Sequence, residues 1–429
     1  MIIYNKPKRD QWTMLTRRPI IDEKELTQVV SSIMYDVKSN GDEALIKYAK
    51  KFDGVALEAI EVSAKEIQTG LEQTPQELKD AIQIAYQNIS KFHRAQQELE
   101  TVIETMPGVK CWRKSVPIEK IGCYIPGGSA PLFSTILMLG IPAKLAGCKE
   151  IILCTPPNKN QEVHPAILYT AQLVGITKIY KAGGAQAISA MAYGTKTIPE
   201  VYKICGPGNQ YVTKAKELVQ QDGKAIDMPA GPSELLVIAS SSCIPKFVAA
   251  DLLSQAEHGV DSQVILLSND AKVMDECLTE VNIQLAELPR KDIASIALSN
   301  SKAIILDSII ECIELSNSYA PEHLIIASEN ANLYIDKVIN AGSVFIGNYS
   351  CESAGDYASG TNHTLPTNGY AKNYSGVSLD SFVKKITFQE LSKEGIASLG
   401  NTIEVMAEAE NLIAHKNAVT VRLKEINND

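Results

Sequence analysis

Residues 120–155 read KIGCYIPGGSAPLFSTILMLGIPAKLAGCKEIILCT, and the fold of the chain can be predicted from this stretch outward. Its first part, KIGCYIP, and its last part, EIILCT, are short runs of apolar and β-branched residues of the kind that form buried strands. The residues between them, near 134–147, have the length and composition of a helix. A strand, a helix and a second strand in this order predict a βαβ unit with parallel strands.

The same alternation continues towards the C-terminus. Further strands are predicted for KIYKAG, VYKICGPGN, SELLVIA, QVILLS, KAIILD and HLIIAS, with SVFIG near residue 343 as an additional strand. Helices are predicted between them, near residues 165–175, 185–193, 211–221, 245–259, 270–288 and 308–318. Repeated alternation of this kind predicts an α/β protein with parallel-type sheets.

The flanking segments differ in composition. Residues 22–105 are rich in Glu, Lys, Gln and Ala at helical spacing, and the C-terminal residues return to that pattern, so both segments are predicted to be helical. Residues 347–380 are dense in Gly, Ser, Asn, Thr and Tyr and show no periodicity. A loop of this length in a compact domain is more often functional or disordered than an ordinary connection.

Composition excludes several classes of protein. The 429 residues carry a net charge of −9 without clustered Lys or Arg, which argues against binding to nucleic acid or to an anionic membrane. The nine cysteines are odd in number and form no C-x-x-C pair, as expected for reduced thiols and not for a disulfide framework. The N-terminus lacks the apolar core of a signal peptide. These features predict a cytoplasmic protein.

Three glycine-bearing turns follow predicted strands, at residues 126–128, 183–186 and 206–209. At the carboxyl ends of parallel strands, such turns let a ligand approach the backbone, and a helix that starts there favours phosphate. None of them matches G-x-G-x-x-G, because Tyr211 stands where the last glycine of the third would fall. From the residues alone, both a nucleotide site and ordinary turns remain open.

Two Glu-His dipeptides are candidates for proton chemistry. In LSQAEHG, helical spacing puts Gln255 and His258 on one face and turns Glu257 away. In SYAPEHLIIAS, Glu322 and His323 lead directly into an apolar strand, where they could form an acid/base pair. Ordinary polar residues at a helix end and at a solvated turn are the alternatives.

Further titratable residues lie towards the C-terminus. Asp356 and His363 occur in the long aperiodic loop, and Glu410 and His415 occur in the predicted C-terminal helix. Gln255, His258, Asp356 and a second His would make a plausible ligand set for Zn²⁺ or a similar ion, although their wide separation in sequence does not establish one.

Taken together, many long segments of the chain resemble the histidinol dehydrogenase family. The resemblance rests on IGCYIPGGSAPLFSTILMLGIPAKLAG, GGAQAISAMAYGT, CGPGNQYVTKAK, DMPAGPSELLVIA, DLLSQAEHG, YAPEHL, GDYASGTNHTLPT and AEAENLIAHKNAV, which occur in this order. It implies oxidation of L-histidinol to L-histidine through histidinal, in two successive hydride transfers to NAD⁺, as the last steps of histidine biosynthesis. It also implies a zinc-containing homodimer.

The resemblance assigns roles residue by residue. The zinc ligands would be Gln255, His258, Asp356 and His415, and the zinc would mainly hold the substrate. Glu322 and His323 would be the catalytic acid/base pair. The substrate would contact Ser233, His363 and Glu410 as well as His323 and the four zinc ligands. NAD would contact Tyr124, Gln186 and Asn209. One departure from the usual pattern is Cys351, where a proline is expected.

The resemblance further implies two incomplete Rossmann-like domains, one inserted into the other. The predicted boundaries are an N-terminal segment at 1–21, a first domain at 22–123 with 235–377, an NAD-contacting domain at 124–234, and a helical tail at 378–429. The tail would cross to the partner subunit, so that His415 and Glu410 complete the neighbouring site.

Three other functions stay open on the sequence. A related enzyme could oxidise another small polar alcohol, although Ser233, His363 and Glu410 favour histidinol. A zinc hydrolase would use Glu322 to activate water without a nicotinamide. A non-catalytic nucleotide-binding protein would not need His323.

Overall fold

The computed structural model describes residues 1–18, 23–127, 130–176, 178–229 and 231–428. The chain forms two compact units, Met1–Gln96 with Ile118–Phe382, and Gln97–Pro117 with Val383–Asp429. No helix among these residues is both long and apolar enough to cross a lipid bilayer.

The strands and helices are numbered in chain order. The strands are β1 (Ile2–Asn5), β2 (Val102–Met106), β3 (Val109–Pro117), β4 (Lys120–Tyr124), β5 (Glu150–Thr155), β6 (Lys178–Lys181), β7 (Lys203–Cys205), β8 (Ala225–Ile226), β9 (Glu234–Ala239), β10 (Gln263–Ser268), β11 (Lys302–Ile305), β12 (His323–Ala327), β13 (Ser343–Ile346) and β14 (Val383–Leu391). The helices are α1 (Trp12–Leu15), α2 (Glu23–Asn40), α3 (Asp42–Tyr48), α4 (Ala64–Gln73), α5 (Gln76–Arg94), α6 (Phe133–Ala146), α7 (Pro165–Val174), α8 (Gly184–Tyr193), α9 (Gln210–Gln221), α10 (Pro245–Ala256), α11 (Ala271–Glu287), α12 (Lys291–Ser299), α13 (Ile309–Tyr319), α14 (Glu352–Tyr357), α15 (Lys393–Ala409) and α16 (Ile413–Asn428).

The first unit contains two parallel sheets, which confirms the predicted fold class. The five-stranded sheet has the order β6-β5-β4-β7-β8, and the six-stranded sheet has the order β1-β11-β10-β9-β12-β13. All neighbouring strands described in these two sheets pair in parallel. In each sheet, successive strands are first added on one side of a starting strand, and the chain then crosses to the other side of that strand. The order reverses between β4 and β7 in the five-stranded sheet and between β9 and β12 in the six-stranded sheet. Such switch points open a crevice for ligands in α/β proteins.

The helices of residues 23–94 pack beside the five-stranded sheet. α2 packs against α8 and α9, α4 packs against α7, and α5 packs against α6. The prediction instead grouped residues 22–123 with 235–377. The predicted domain boundaries stay a prediction, but these contacts associate the N-terminal helices with the other half of the unit.

The second unit differs from the predicted helical tail. It contains an antiparallel sheet in the order β14-β3-β2, followed by α15 and α16. β14 pairs with β3 over its whole length, and the rings of Trp112 and Phe388 stack across the pair with 5.4 Å between centroids. Strands β2 and β3 form a local hairpin, which begins within a segment predicted to be helical and was missed there. Strand β14 was missed because its partner, β3, lies more than 260 residues earlier in the chain. Cross-strand pairing of this kind leaves little local signal.

Candidate active site

The predicted acid/base pair lies at the start of a central strand. Helix α13 ends at Tyr319, Ala320 takes a left-handed conformation with φ of 57°, and Pro321 leads into Glu322 and β12. His323 is the first residue of β12 and pairs with Leu235 of β9. Both side chains are buried. The pair therefore lies at the amino ends of β9 and β12, whereas ligands of α/β sheets usually lie at the carboxyl ends.

Hydrogen bonding orients the His323 ring. Its Nδ1 lies 3.2 Å from the carbonyl oxygen of Glu234, and because a carbonyl only accepts, Nδ1 carries the proton and donates. Its Nε2 is buried without a hydrogen-bond partner in the described part of the chain, and lies 3.5 Å from Oδ1 of Asp356. The ring therefore directs Nε2 towards the side of the site where Asp356 lies.

Carboxyl groups surround the ring. Nδ1 of His323 lies 3.7 Å from Glu322 Oε2 and 3.7 Å from Glu352 Oε1. Burial opposes the charged ring, but Glu352, Glu322 and Asp356 outweigh it and raise the pKa of His323 to about 10. Burial also raises the pKa of Glu322 to about 7, with His323 opposing the shift. Glu322 is thus suited to exchange protons near neutral pH.

Two buried carboxyl groups beside the pair were missed by the sequence analysis. Glu352 begins α14, and burial raises its pKa to about 8. Asp251 lies on α10, accepts a hydrogen bond from the backbone of Glu352, and has its pKa raised by burial to about 7. An acidic residue inside an apolar helical pattern was the available signal for Asp251, since such residues are seldom buried without a partner.

The long loop predicted at residues 347–380 contributes Asp356 and His363. Asp356 lies on α14, and Nδ1 of His363 donates to the backbone carbonyl oxygen of Asp356 at 2.7 Å. Nε2 of His363 accepts from Thr135 Oγ1 at 3.0 Å when the ring is neutral. Burial lowers the pKa of His363, which favours that neutral form. The loop is further held by Asn362, whose amide contacts His93 Nε2 at 3.1 Å. His93 itself is fully buried.

Gln255 and His258 contact each other as predicted, with 3.2 Å between Nε2 of Gln255 and Nδ1 of His258. The helix is shorter than predicted, because α10 ends at Ala256 and His258 lies in the following turn. Gln255 is fully buried, and its Oε1 has no hydrogen-bond partner among the residues described. His258 and Asp356 are close enough to interact electrostatically.

One group of three acidic and histidine side chains in the described residues could hold a metal ion. It consists of His323, Glu352 and Asp356, whose possible ligand atoms lie within 4.8 Å of one another. It shares only Asp356 with the predicted ligand set. The structure thus supports a possible metal site at this place, while the identity of its ligands stays a prediction.

The predicted NAD residues lie around the carboxyl ends of the five-stranded sheet. Tyr124 ends β4, and its hydroxyl oxygen accepts from the backbone N–H of Gly184 at 2.9 Å. Gln186 is buried in the first turn of α8. Asn209 is exposed and caps α9, accepting from the N–H groups of Tyr211 and Val212. Their contacts with NAD stay a prediction.

A buried ion pair holds the third glycine turn. Lys216 on α9 pairs with Asp227, and both side chains are almost completely buried. Lys216 Nζ donates to the carbonyl oxygen of Gly206 at 3.0 Å, and the N–H of Gly206 donates to Asp227 Oδ2 at 2.7 Å. A methyl group on Gly206, which has φ of 133°, would lie 2.0 Å from the carbonyl oxygen of Tyr124. Only glycine fits at this position.

The remaining predicted residues have simple surroundings. Ser233 is half-buried immediately before β9, and its carbonyl oxygen accepts from Gln263. Glu410 and His415 lie in the second compact unit and are exposed, so their participation in the site stays a prediction. Cys351 precedes α14 with φ of −78°, a value that the expected proline would also adopt.

Known proteins of one family are similar to this chain in both sequence and structure. The family described as histidinol dehydrogenase matches residues 16–423. Histidinol dehydrogenase of Bacteroides thetaiotaomicron is 57% identical over 426 residues, which are 99% of this chain and 100% of that protein. Its counterpart in Escherichia coli strain K12 is 52% identical over 429 residues, 99% of this chain and 98% of that protein. The crystal structure of histidinol dehydrogenase from Elizabethkingia anophelis matches with a TM-score of 0.98 and 61% identity, covering 100% of this chain and 99% of that one.

These matches extend over nearly the entire chain, and the Elizabethkingia structure reproduces the fold described above. The predicted family and its oxidoreductase class are confirmed. The chain belongs to the histidinol dehydrogenase family.

Proposed function

We propose that the protein oxidises L-histidinol to L-histidine through histidinal, with Glu322 and His323 as the proton-transfer residues. The observation that carries this proposal is the buried His323 ring, whose Nδ1 is fixed by a carbonyl oxygen while Nε2 faces Asp356. A ring held in this way can take a proton only at Nε2. When bound, NAD⁺ supplies the hydride acceptor for both oxidation steps.

Because the neighbouring carboxyl groups keep most of the His323 ring protonated at neutral pH, only its neutral fraction acts in the first step, where Nε2 takes the proton of the substrate hydroxyl as hydride leaves the carbon. The three neighbouring carboxylates stabilise the imidazolium that results, as the raised pKa of His323 indicates. In the second step, Glu322 takes a proton from the water that attacks the aldehyde carbon, and the His323 imidazolium gives its Nε2 proton to the aldehyde oxygen. The neutral ring then takes a proton from the hydrate as the second hydride leaves that carbon. Glu322 suits this role because burial brings its pKa to about 7.

The residues present fit a zinc ion held by Gln255, His258 and Asp356, with His415 as the fourth ligand. The buried Oε1 of Gln255 and Oδ1 of Asp356 have no hydrogen-bond partner within the described ranges, which is costly unless a ligand completes them. His323 is a poorer ligand than His258, because its surroundings favour the protonated ring and a metal needs a neutral one. The zinc would supply a template that holds the substrate.

The residues also fit a dinucleotide at the switch point of the five-stranded sheet. Gly183, the N-cap residue of α8, has no side chain that could cap the helix, and Tyr124 accepts from Gly184, so the N–H groups of Ala185 and Gln186 could bind a phosphate. Gln186 lies in this turn, the hydroxyl of Tyr124 contacts the N–H of Gly184, and Asn209 caps α9, which follows β7 beside β4. We infer that these residues contact NAD.

An NADH absorbance assay tests the reaction. Zinc-loaded wild type should form NADH from histidinol and NAD⁺, and chelation or His323→Asn should lower the rate by about 100-fold or more. A related alcohol such as a 2-amino alcohol without the imidazole should be a poor substrate. No NADH from histidinol in the zinc-loaded protein would overturn the proposal, and hydrolysis without NAD⁺ would favour a zinc hydrolase.

We further propose a homodimer in the cytoplasm, in which Glu410 and His415 of one subunit complete the site of the other. Both residues are exposed, as a shared site requires. Mixing inactive His323→Asn and His415→Ala subunits under exchange conditions would rebuild one intact site in each mixed dimer. The expected recovery is about a quarter of wild-type activity, from random pairing of two subunits. No recovery in verified mixed dimers would contradict the shared site.

A further inference from the structure

We propose that the buried ion pair of Arg18 and Glu234 is a positioning device that holds the Glu322–His323 pair in its reactive geometry. This inference rests on the proposed function of those two residues. Neither Arg18 nor Glu234 is predicted to touch the substrate, the zinc or NAD, so both would act through other residues.

The main chain of Glu234 contacts both members of the catalytic pair. Its N–H donates to Oε2 of Glu322 at 2.8 Å, and its carbonyl oxygen accepts from Nδ1 of His323 at 3.2 Å. One peptide segment at the start of β9 therefore orients the carboxylate and selects the ring nitrogen that carries the proton. A small displacement of Glu234 would disturb both contacts together.

The side chain of Glu234 is held on two sides. Arg18 contacts both carboxylate oxygens through Nε and Nη2, with 2.7 Å between Nη2 and Oε2. The backbone N–H of Asn368, in the long loop, donates to Oε1 at 3.0 Å. Glu234 has 1% of its side chain exposed and Arg18 has 13%, so solvent screens this pair little.

Arg18 also holds the segment that leads into the catalytic pair. Its Nη2 donates to the carbonyl oxygen of Tyr319 at 3.0 Å and lies 3.4 Å from that of Ala320. The guanidinium lies 3.9 Å from the centre of the Tyr319 ring. Ala320 takes the left-handed conformation that starts the turn into Glu322. The same guanidinium therefore connects the start of β9 with the turn before β12.

A purely structural role explains this arrangement poorly. Strand β9 is otherwise apolar and buried on both faces, where an apolar residue would pack without the cost of desolvating two charges. Buried ion pairs add little net stability, but their hydrogen bonds impose a defined geometry. The geometry imposed here is that of Glu322 and His323.

Arg18→Lys and Glu234→Gln test the proposal. Arg18→Lys keeps the charge, but a lysine cannot contact both carboxylate oxygens of Glu234 and the carbonyl oxygens of Tyr319 and Ala320 at the same time. We expect both variants to lower kcat for histidinol and for histidinal by about 10- to 100-fold, while KM for histidinol and NAD⁺ changes by less than about threefold. Leu15→Ala is the matched control, because Leu15 is buried on the same N-terminal segment and its apolar side chain packs in a hydrophobic cluster and cannot bond the Glu234 carboxylate. It should destabilise the segment and leave kcat near the wild-type value.

A spectroscopic measurement separates this inference from the proposed function. The ¹⁵N shifts of the His323 ring, assigned with His323→Asn, report the Nδ1 hydrogen bond in the protein without substrate. They should change in folded Arg18→Lys and Glu234→Gln and stay unchanged in Leu15→Ala. Unchanged shifts in folded Arg18→Lys, or an equal loss of kcat in Leu15→Ala at the same thermal stability, would overturn the positioning role. If wild type forms no NADH, the proposed function fails, and the shifts still decide the positioning role.

Discussion

Replacing the buried Asp251 by Asn should stabilise the metal-free protein, and should do so more strongly at higher pH. Burial raises the pKa of Asp251 from 3.8 to about 7, which means that the folded state resists ionisation of this carboxyl group. As pH rises from 3.8 towards 7, the unfolded chain releases a proton that the folded protein retains, so stability is lost. Above about pH 7 both states are ionised, and the loss of stability no longer increases. Asn cannot ionise, and its oxygen still accepts the hydrogen bond from the backbone of Glu352.

The structure sets the size of this effect. At about 1.36 kcal/mol per pKa unit, the change from 3.8 to about 7 corresponds to at most about 4 kcal/mol. Relaxation of polar groups around a buried charge reduces such penalties, so we expect a gain of about 2 kcal/mol at about pH 8. At about pH 5 less than half of that gain should be present, because this pH lies only about one unit above the unfolded pKa of 3.8.

Urea unfolding of the chelated protein at the two pH values measures the gain through the shift in midpoint. Asp42→Asn is the matched control with the opposite sign. Burial opposes its charge, but hydrogen bonds from Thr195 and Thr197 outweigh burial and lower the pKa of Asp42. This carboxylate stabilises the protein above its unfolded pKa, and the stabilisation is lost as pH falls. Asp42→Asn should therefore destabilise at about pH 8. An equal midpoint shift for Asp251→Asn at both pH values would refute the argument.

Three further outcomes are expected. In steady-state assays, Glu322→Gln should lower kcat by about 100-fold or more, whereas Glu257→Gln should lower it by less than about threefold. Comparable losses in the two variants would contradict the proposal that Glu322, and not Glu257, transfers protons. Gly206→Ala should weaken NAD⁺ binding by at least about tenfold in a fluorescence titration, because its methyl group would overlap the carbonyl of Tyr124. Gly223→Ala is its control, since Gly223 also has positive φ but no atom within 4 Å, and equal weakening in both would exclude the overlap as the cause. Adding zinc at about 100 times its Kd should stabilise the chelated wild type by about 2.7 kcal/mol, which is measured as a rise in Tm. Gln255→Leu should reduce that rise, and an unchanged rise in this variant would exclude Gln255 as a ligand.

Much of the first unit follows from local sequence. The alternation of apolar runs with helical segments predicted the strands from KIGCYIP to SVFIG and most helices between them, because buried parallel strands are apolar along their whole length. The pairing of Gln255 with His258 followed from helical spacing, and it held although the helix ends before His258. The assignment of roles came from resemblance, since isolated Glu-His and Gln-His pairs are common without function.

Tertiary structure decided the remainder. The carboxyl groups of Glu352 and Asp251 and the main chain of Glu234 surround Glu322 and His323 only after β9, α10 and α14 come together. Their pKa values and the orientation of His323 depend on burial and on contacts between residues far apart in sequence. For the same reason, local pattern could not predict the pairing of β14 with β3 or the contact of Arg18 with Glu234. Sequence periodicity determines which elements form, whereas desolvation and long-range hydrogen bonds determine what their side chains can do.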